Sequence, residues 1–376
     1  MKLEAIEYKR KSQNMEVEMK REEEELESHR SEKKLEEMEL EAMEYKVESL
    51  MMEVKMKHVK EKLESPVSGV IVLGGLSQDG ESLTSVEGFI FREGRWIELP
   101  PMNIPRFFAA SVLVYNQIIV SGGVTGNTIT YTIETLNLDE IPLQWITSRA
   151  MLPVPLSGHK TVVHQGKLIT IGGHDGNEGR NSDKIYEVPL LEPYTPRILA
   201  LLPERKAWHG AELVNDKIFI FGGGRNPGVP NNEIVVCDLS SDKCSVISQL
   251  PYRVEGMATV CLEKKVFLLG GVNESGEELD KVITYDTESG ETTRLPSMRQ
   301  KRGGCCAVIC PTVESSGGCS SDTSIDILVA LGSLRQTNTV ERFDFHSHAW
   351  SDMPPTSKVR DFCTAVVSHA NFNNPE

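Results

Sequence analysis

Residues 1–65 contain neither glycine nor proline. A segment without turn formers or helix breakers has no local means of folding back on itself. Residues 1–64 hold 19 Glu, 14 Lys or Arg and eight of the chain's 13 Met, which is helix-forming content. No run of about 20 apolar residues is present either. The longest uncharged stretch, 107–133, is interrupted by Tyr115-Asn116-Gln117 and by Gly122-Gly123, so it reads as strand, turn and strand rather than a membrane helix. The first residues, MKLEAIEYKRK, lack the apolar centre of a signal peptide, and a cytoplasmic location is expected. Positive charge is in deficit: the formal net charge of −15 disfavours a nucleic-acid partner. None of the eight cysteines forms a C-x-x-C pair, and thiols are expected rather than disulfides. The nine histidines show no metal-ligand spacing, and no cofactor is expected.

Two domains follow from the change of character near Pro66. The first, 1–65, is expected to be a charged helix. Its second half carries a seam at Leu35, Met38, Ala42, Tyr45, Ser49, Met52, Met56, Val59 and Leu63, stepping by three and four, with eight of the nine apolar. Such a stripe on a lone helix would face water, so a coiled-coil homodimer is favoured over a single solvated helix.

The second, 66–376, is repetitive. A β-rich run ending in a small-residue pair recurs at Gly74-Gly75, Gly122-Gly123, Gly172-Gly173, Gly222-Gly223, Gly270-Gly271 and Gly332-Ser333. A polar insert, Glu314 to Ser324, lengthens the last interval. Each pair follows an apolar strand, and Leu-Pro or Met-Pro segments mark the repeat ends. Four strands in a period of about 50 residues make a propeller blade. The first repeat lacks its inner strand and the chain ends with one unpaired, Phe362 to Ser368. That C-terminal strand is expected to complete the first blade and close the ring.

The glycine pairs, the period and the positions Trp96, Tyr285-Asp286 and Phe343-Asp344 with Trp350 resemble the Kelch repeat. The resemblance covers 67 to about 370. It implies an all-β six-bladed Kelch propeller behind the coiled-coil helix, and a non-enzymatic scaffold that binds a partner protein or peptide. Its nearest role is substrate recognition for a cullin-RING ubiquitin ligase, although no BTB or BACK region is visible before the propeller. Kelch-fold enzymes of sugar chemistry, oxidases or mutarotases, are the alternative. A shallow basic bowl at the ring's centre would favour peptide binding, whereas paired carboxylates or a Tyr-Cys-His metal set would favour the enzyme.

One pattern suggests where a partner binds. Aligned on the inner strands, Arg106, Leu156, Lys206, Arg253, Arg302 and Arg360 are five-sixths basic in a domain with 26 basic and 36 acidic residues. The loops after the small-residue pairs should share their face, adding His174, Arg225, Asn273 and Arg335. A ring of these residues is expected to take an acidic peptide. The competing reading is that the cations pair with acids inside the blades.

Overall fold

The computed structural model describes residues 69–91, 93–312, 324–330 and 337–368. The expected coiled coil, the insert from 314 to 323 and Arg335 lie outside them. The described residues form an all-β, propeller-like fold with no helix.

Among the described residues, six four-stranded antiparallel sheets carry the fold, with one three-stranded and one two-stranded sheet of short strands beside them. The second, for example, runs Ala110–Val114, Gln117–Ser121, Thr132–Asn137, Trp145–Met151. Burial peaks at the second strand of a sheet and falls toward the outermost. In Gln117–Ser121, all residues after the first are buried, and Lys217–Phe221 and Lys265–Leu269 repeat this pattern. These strands are covered on both faces, which accounts for runs such as IFIF and VFLL in place of strict alternation. The outermost strands, such as Lys243–Gln249, are mostly exposed. The innermost strand of each sheet packs against those of its two neighbours in a closed circuit.

The circuit closes as the repeat pattern requires. Gly69–Leu73 pairs antiparallel with Thr364–Ser368, from Gly69 opposite Ser368 to Leu73 opposite Thr364. The first sheet is thus built from both ends of the repeat region.

The glycine pairs sit at the seams between sheets. Gly122 has φ +61°, and a Cβ there would lie 2.5 Å from the carbonyl oxygen of Leu156. Its neighbour Gly123 donates its N–H to that same oxygen at 2.8 Å. A side chain would therefore break a contact between consecutive repeats.

The basic repeat residues hold the loop that enters each sheet. Arg106, Arg302 and Arg360 have no exposed side-chain surface, and their partners Glu134, Glu341 and Glu87 have at most 2%. Arg360 donates through Nε to Glu87 at 3.0 Å and through Nη1 to the carbonyls of Gly74 and Ser85 at 2.9 and 2.8 Å. Each carboxylate also accepts a backbone N–H three residues before its arginine: Asn103 to Glu134 at 2.8 Å, Arg299 to Glu341 at 2.7 Å and Ser357 to Glu87 at 2.8 Å. Lys206, equally buried, reaches Glu233 at 2.7 Å.

A buried pair of this kind costs desolvation to form, but losing one partner strands a charge. Arg360→Met and Glu87→Gln should therefore each lower unfolding free energy by about 3–5 kcal/mol. The double replacement Arg360→Met/Glu87→Met should recover a large part of that loss. Chemical denaturation of the four proteins checks this, and single variants as stable as the parent would refute it.

Candidate interaction face and central channel

The expected basic ring is not a solvent-facing ring. Arg106, Lys206, Arg302 and Arg360 are buried and hydrogen-bonded within their own sheets, so none can meet a partner without unfolding its loop. Arg253 is out of register with them. The glycine N–H that meets Arg106, Leu156, Lys206 and Arg302 in the other repeats meets Val254 in this one. Val254 is buried, whereas Arg253 is exposed and lies 3.7 Å from exposed Glu274, a pair of little energetic value.

The other described candidates, His174, Arg225 and Asn273, lie in the segments after the glycine pairs, as does Glu274, the partner of Arg253. Arg253 and Asn273 border one shallow cleft of about 370 Å³, together with Tyr252, Glu274 and Lys281. Asn273 is a turn former, accepting the N–H groups of Ser275 and Glu277, both at 2.9 Å. Arg225 is exposed on its loop. His174 is half-buried, 3.1 Å from the Asn181 side-chain oxygen, and its ring stacks with Trp208 at 6.5 Å.

A different repeat position forms the axial feature of this face. Two residues beyond each seam carbonyl stand Phe108, Gly158, Trp208, Gly256, Gly304 and Phe362, all with φ between +54° and +66°. Their backbones link in order around the axis. Phe108 donates to Phe362, Gly158 to Phe108, Trp208 to Gly158, Gly256 to Trp208 and Gly304 to Gly256, at 2.7–3.1 Å. Glycine takes this conformation freely, whereas an aromatic residue is strained in it by about 1–2 kcal/mol. The aromatic side chains cluster: Phe108 and Phe362 lie 4.1 Å apart between ring centres, and Phe108 and Trp208 lie 6.2 Å apart. They overlie the glycines; a Cβ on Gly304 would fall 2.3 Å from the Phe362 ring. This repeat position holds three aromatic residues and three glycines, in the order Phe, Gly, Trp, Gly, Gly, Phe.

Beneath the aromatic cluster is a cavity of about 70 Å³, and beyond it a channel of about 720 Å³ lined by the innermost strands. Lys160 borders both, and the charged residues lining the channel are Lys160 and Glu212. Ser111 and Thr364 share a hydrogen bond of 2.6 Å across one seam. Burial pushes the Glu212 carboxyl up to about 7, against the pull of Thr259 and of Lys160. His159 and His209, beside the smaller cavity, are held neutral by burial, His159 down to about 3. Neither paired carboxylates nor a Tyr-Cys-His set lines the channel among the described residues.

One cysteine expectation also changes. Cys237 and Cys244 face each other across paired strands, 4.0 Å apart between Cα atoms, and are joined as a disulfide. The tight turn between the strands brings the two together, a proximity that the absence of a C-x-x-C motif did not reveal.

Glu212 makes folding pH-dependent in a defined sense. Its folded value lies above its ordinary value of 4.5, so between about 4.5 and 7 the folded state binds more protons than the unfolded. Stability from this group is therefore present at low pH and lost as pH rises through 7. Glu212→Gln should lose that decline, narrowing the difference between denaturation midpoints at pH 5 and pH 7.5. An unchanged pH dependence would contradict the assignment.

Repeating glycine pairs at the seams, a C-terminal strand that completes the first sheet and a channel ringed by innermost strands define a Kelch-type propeller. The chain belongs to the Kelch-repeat family: residues 158–372 match the KLHDC2/KLHL20/DRC7 Kelch-repeats domain. It is similar to Kelch-like protein 15 of Danio rerio, 24% identical over 58% of this chain and 40% of the relative. It is also similar to Kelch-like protein 35 of Homo sapiens, 26% identical over 64% and 48%. Spermatocyte protein spe-26 of Caenorhabditis elegans is 32% identical over 54% and 35%. The chain thus spans less than half the length of these relatives. The solved structure of YjhT shares the fold, with a TM-score of 0.58 and 16% identity over 71% of this chain and 88% of that one.

Proposed function

We propose that the chain is a non-enzymatic protein-interaction module: a six-bladed Kelch propeller that takes a partner protein or peptide on the face carrying Phe108, Trp208 and Phe362. The observation that carries this reading is the aromatic ring itself. Three large residues occupy a left-handed position where the other repeats have glycine, so their strain is offset by something other than backbone geometry. Half-buried aromatic groups surrounded by exposed polar loops are the usual centre of a binding surface. His174, Arg225, Arg253 and Asn273 are the polar rim, and Arg335 joins them by its place in the sixth repeat.

The partner chemistry differs from a purely acidic peptide. With four of the five repeat cations engaged inside the sheets, the rim offers scattered charges of both signs around an apolar centre. A partner segment with an apolar anchor and flanking polar groups fits this surface. Substrate recognition for a cullin-RING ubiquitin ligase, in a cytoplasmic homodimer joined through residues 35–63, is the fuller form of the proposal. The family membership and the Kelch-like relatives support its first half, and the apolar seam of the sequence supports its second.

Trp208→Gly with Phe362→Gly restores the residue that the repeat itself uses elsewhere, so the domain should stay folded. In affinity capture by the full chain followed by identification of bound proteins, the double variant should lose at least tenfold of the specific partners while melting cooperatively. Retention of the same partners at the same level would place the contact surface elsewhere. A cullin among the captured proteins would support the ligase form.

A further inference from the structure

We infer that Cys306 and Cys363 form an oxidative modification site, a thiol pair that a two-electron oxidant of the peroxide class converts to a disulfide, stapling the closing strand to the sixth sheet.

The geometry is specific to this pair. Their sulfurs lie 3.4 Å apart, although the residues are 57 positions apart in sequence. Cys306 opens the innermost strand of the sixth sheet, and Cys363 immediately precedes Thr364–Ser368, the strand that completes the first. These two strands pack against each other across the seam where the ring closes. Cys363 belongs to the apolar cluster of that seam with Val70, Val72 and Val308, and Cys306 packs against it. A disulfide needs the sulfurs at about 2.0 Å, so the pair must close in from its 3.4 Å separation to bond. Cys305 is directed elsewhere, its thiol meeting the Leu269 carbonyl at 3.4 Å.

An oxidant has a route to the pair. Cys306 borders the large channel and Cys363 the smaller cavity under the aromatic cluster. The Cys306 thiolate attacks one peroxide oxygen and the O–O bond breaks. This forms a sulfenic acid, and the departing hydroxide takes up a proton as water. The Cys363 sulfur then attacks the Cys306 sulfur. The S–S bond forms, the S–O bond breaks and a second water leaves. Two thiols and one peroxide give one disulfide and two waters, the two electrons passing from sulfur to peroxide. The hydrogen bond with Cys363, and then burial, raise the Cys306 thiol well above its ordinary value, so little thiolate is present at neutral pH. The pair is therefore a slow staple, filled by sustained exposure, rather than a fast sensor.

The consequence is mechanical. The strand Thr364–Ser368 is held to the first sheet by its backbone ladder, and a covalent bridge at its start would restrict the unfolded chain. The test uses the full chain. Hydrogen peroxide is added over hours, thiols are blocked, and the protein is digested without reduction. The expected product is a cross-linked peptide joining Cys306 to Cys363, two hydrogens lighter than its parts. The oxidised protein should melt about 5 °C or more higher, and dithiothreitol should reverse the shift. The variant Cys363→Ser should show neither linkage nor shift, with the Cys237–Cys244 bridge unaffected as an internal control. If that variant fails to fold, Cys306→Ala serves in its place. Oxidation of these sulfurs only to sulfinic or sulfonic acid would overturn the inference. So would linkage to other cysteines, or a linkage that leaves the melting temperature unchanged.

Discussion

The interaction on which the structure depends is the buried guanidinium–carboxylate pair that ties the loop entering a sheet to that sheet's third strand. Arg106 with Glu134, Arg302 with Glu341 and Arg360 with Glu87 repeat it with the same donors and acceptors. Each carboxylate gathers the backbone N–H groups of the loop as well, so the pair fixes backbone and side chain together. With the loop pinned, the carbonyls of Arg106 and Arg302 accept the N–H of the second glycine of the preceding pair, and the residue two positions on takes its place in the axial ring. The loop face is thus presented by residues whose placement is set by buried charge.

This explains why one repeat position can be basic in four sheets of an acidic domain without creating a basic surface. Charge counted along a sequence says nothing of which side of a loop it faces. Arg106 spends its five donors on two backbone carbonyls, the Thr132 hydroxyl and the Glu134 carboxylate, and is saturated in doing so. What is left for a partner is the aromatic ring and a rim of mixed sign.

Much of the architecture was legible. The glycine pairs marked the seams because a positive φ and a neighbouring carbonyl admit no side chain there. The missing inner strand of the first repeat leads to the expectation that 362–368 lies beside 69–74, and Thr364–Ser368 stands opposite Gly69–Leu73. The site was less legible, for two physical reasons. The acid partners Glu87, Glu134 and Glu341 share one repeat position on the third strands, but they are far in sequence from their arginines, so the sequence leaves a solvent-facing ring and pairing inside the blades as equal alternatives. The alignment of Arg253 in place of Val254 was off by one residue, which in a loop changes a buried apolar contact into an exposed cation. The aromatic and glycine residues of the axial ring look unrelated by composition, and only the shared backbone conformation unites them.

The claim that the repeat arginines are structural can be tested by their reactivity toward an arginine-selective dicarbonyl reagent, with modified residues mapped by peptide mass spectrometry. In the folded protein Arg225 and Arg253 should react at the rate of exposed arginines, and Arg106, Arg302 and Arg360 should remain unmodified until denaturant unfolds the domain. Modification of these three in the native state at the rate of Arg253 would contradict the account.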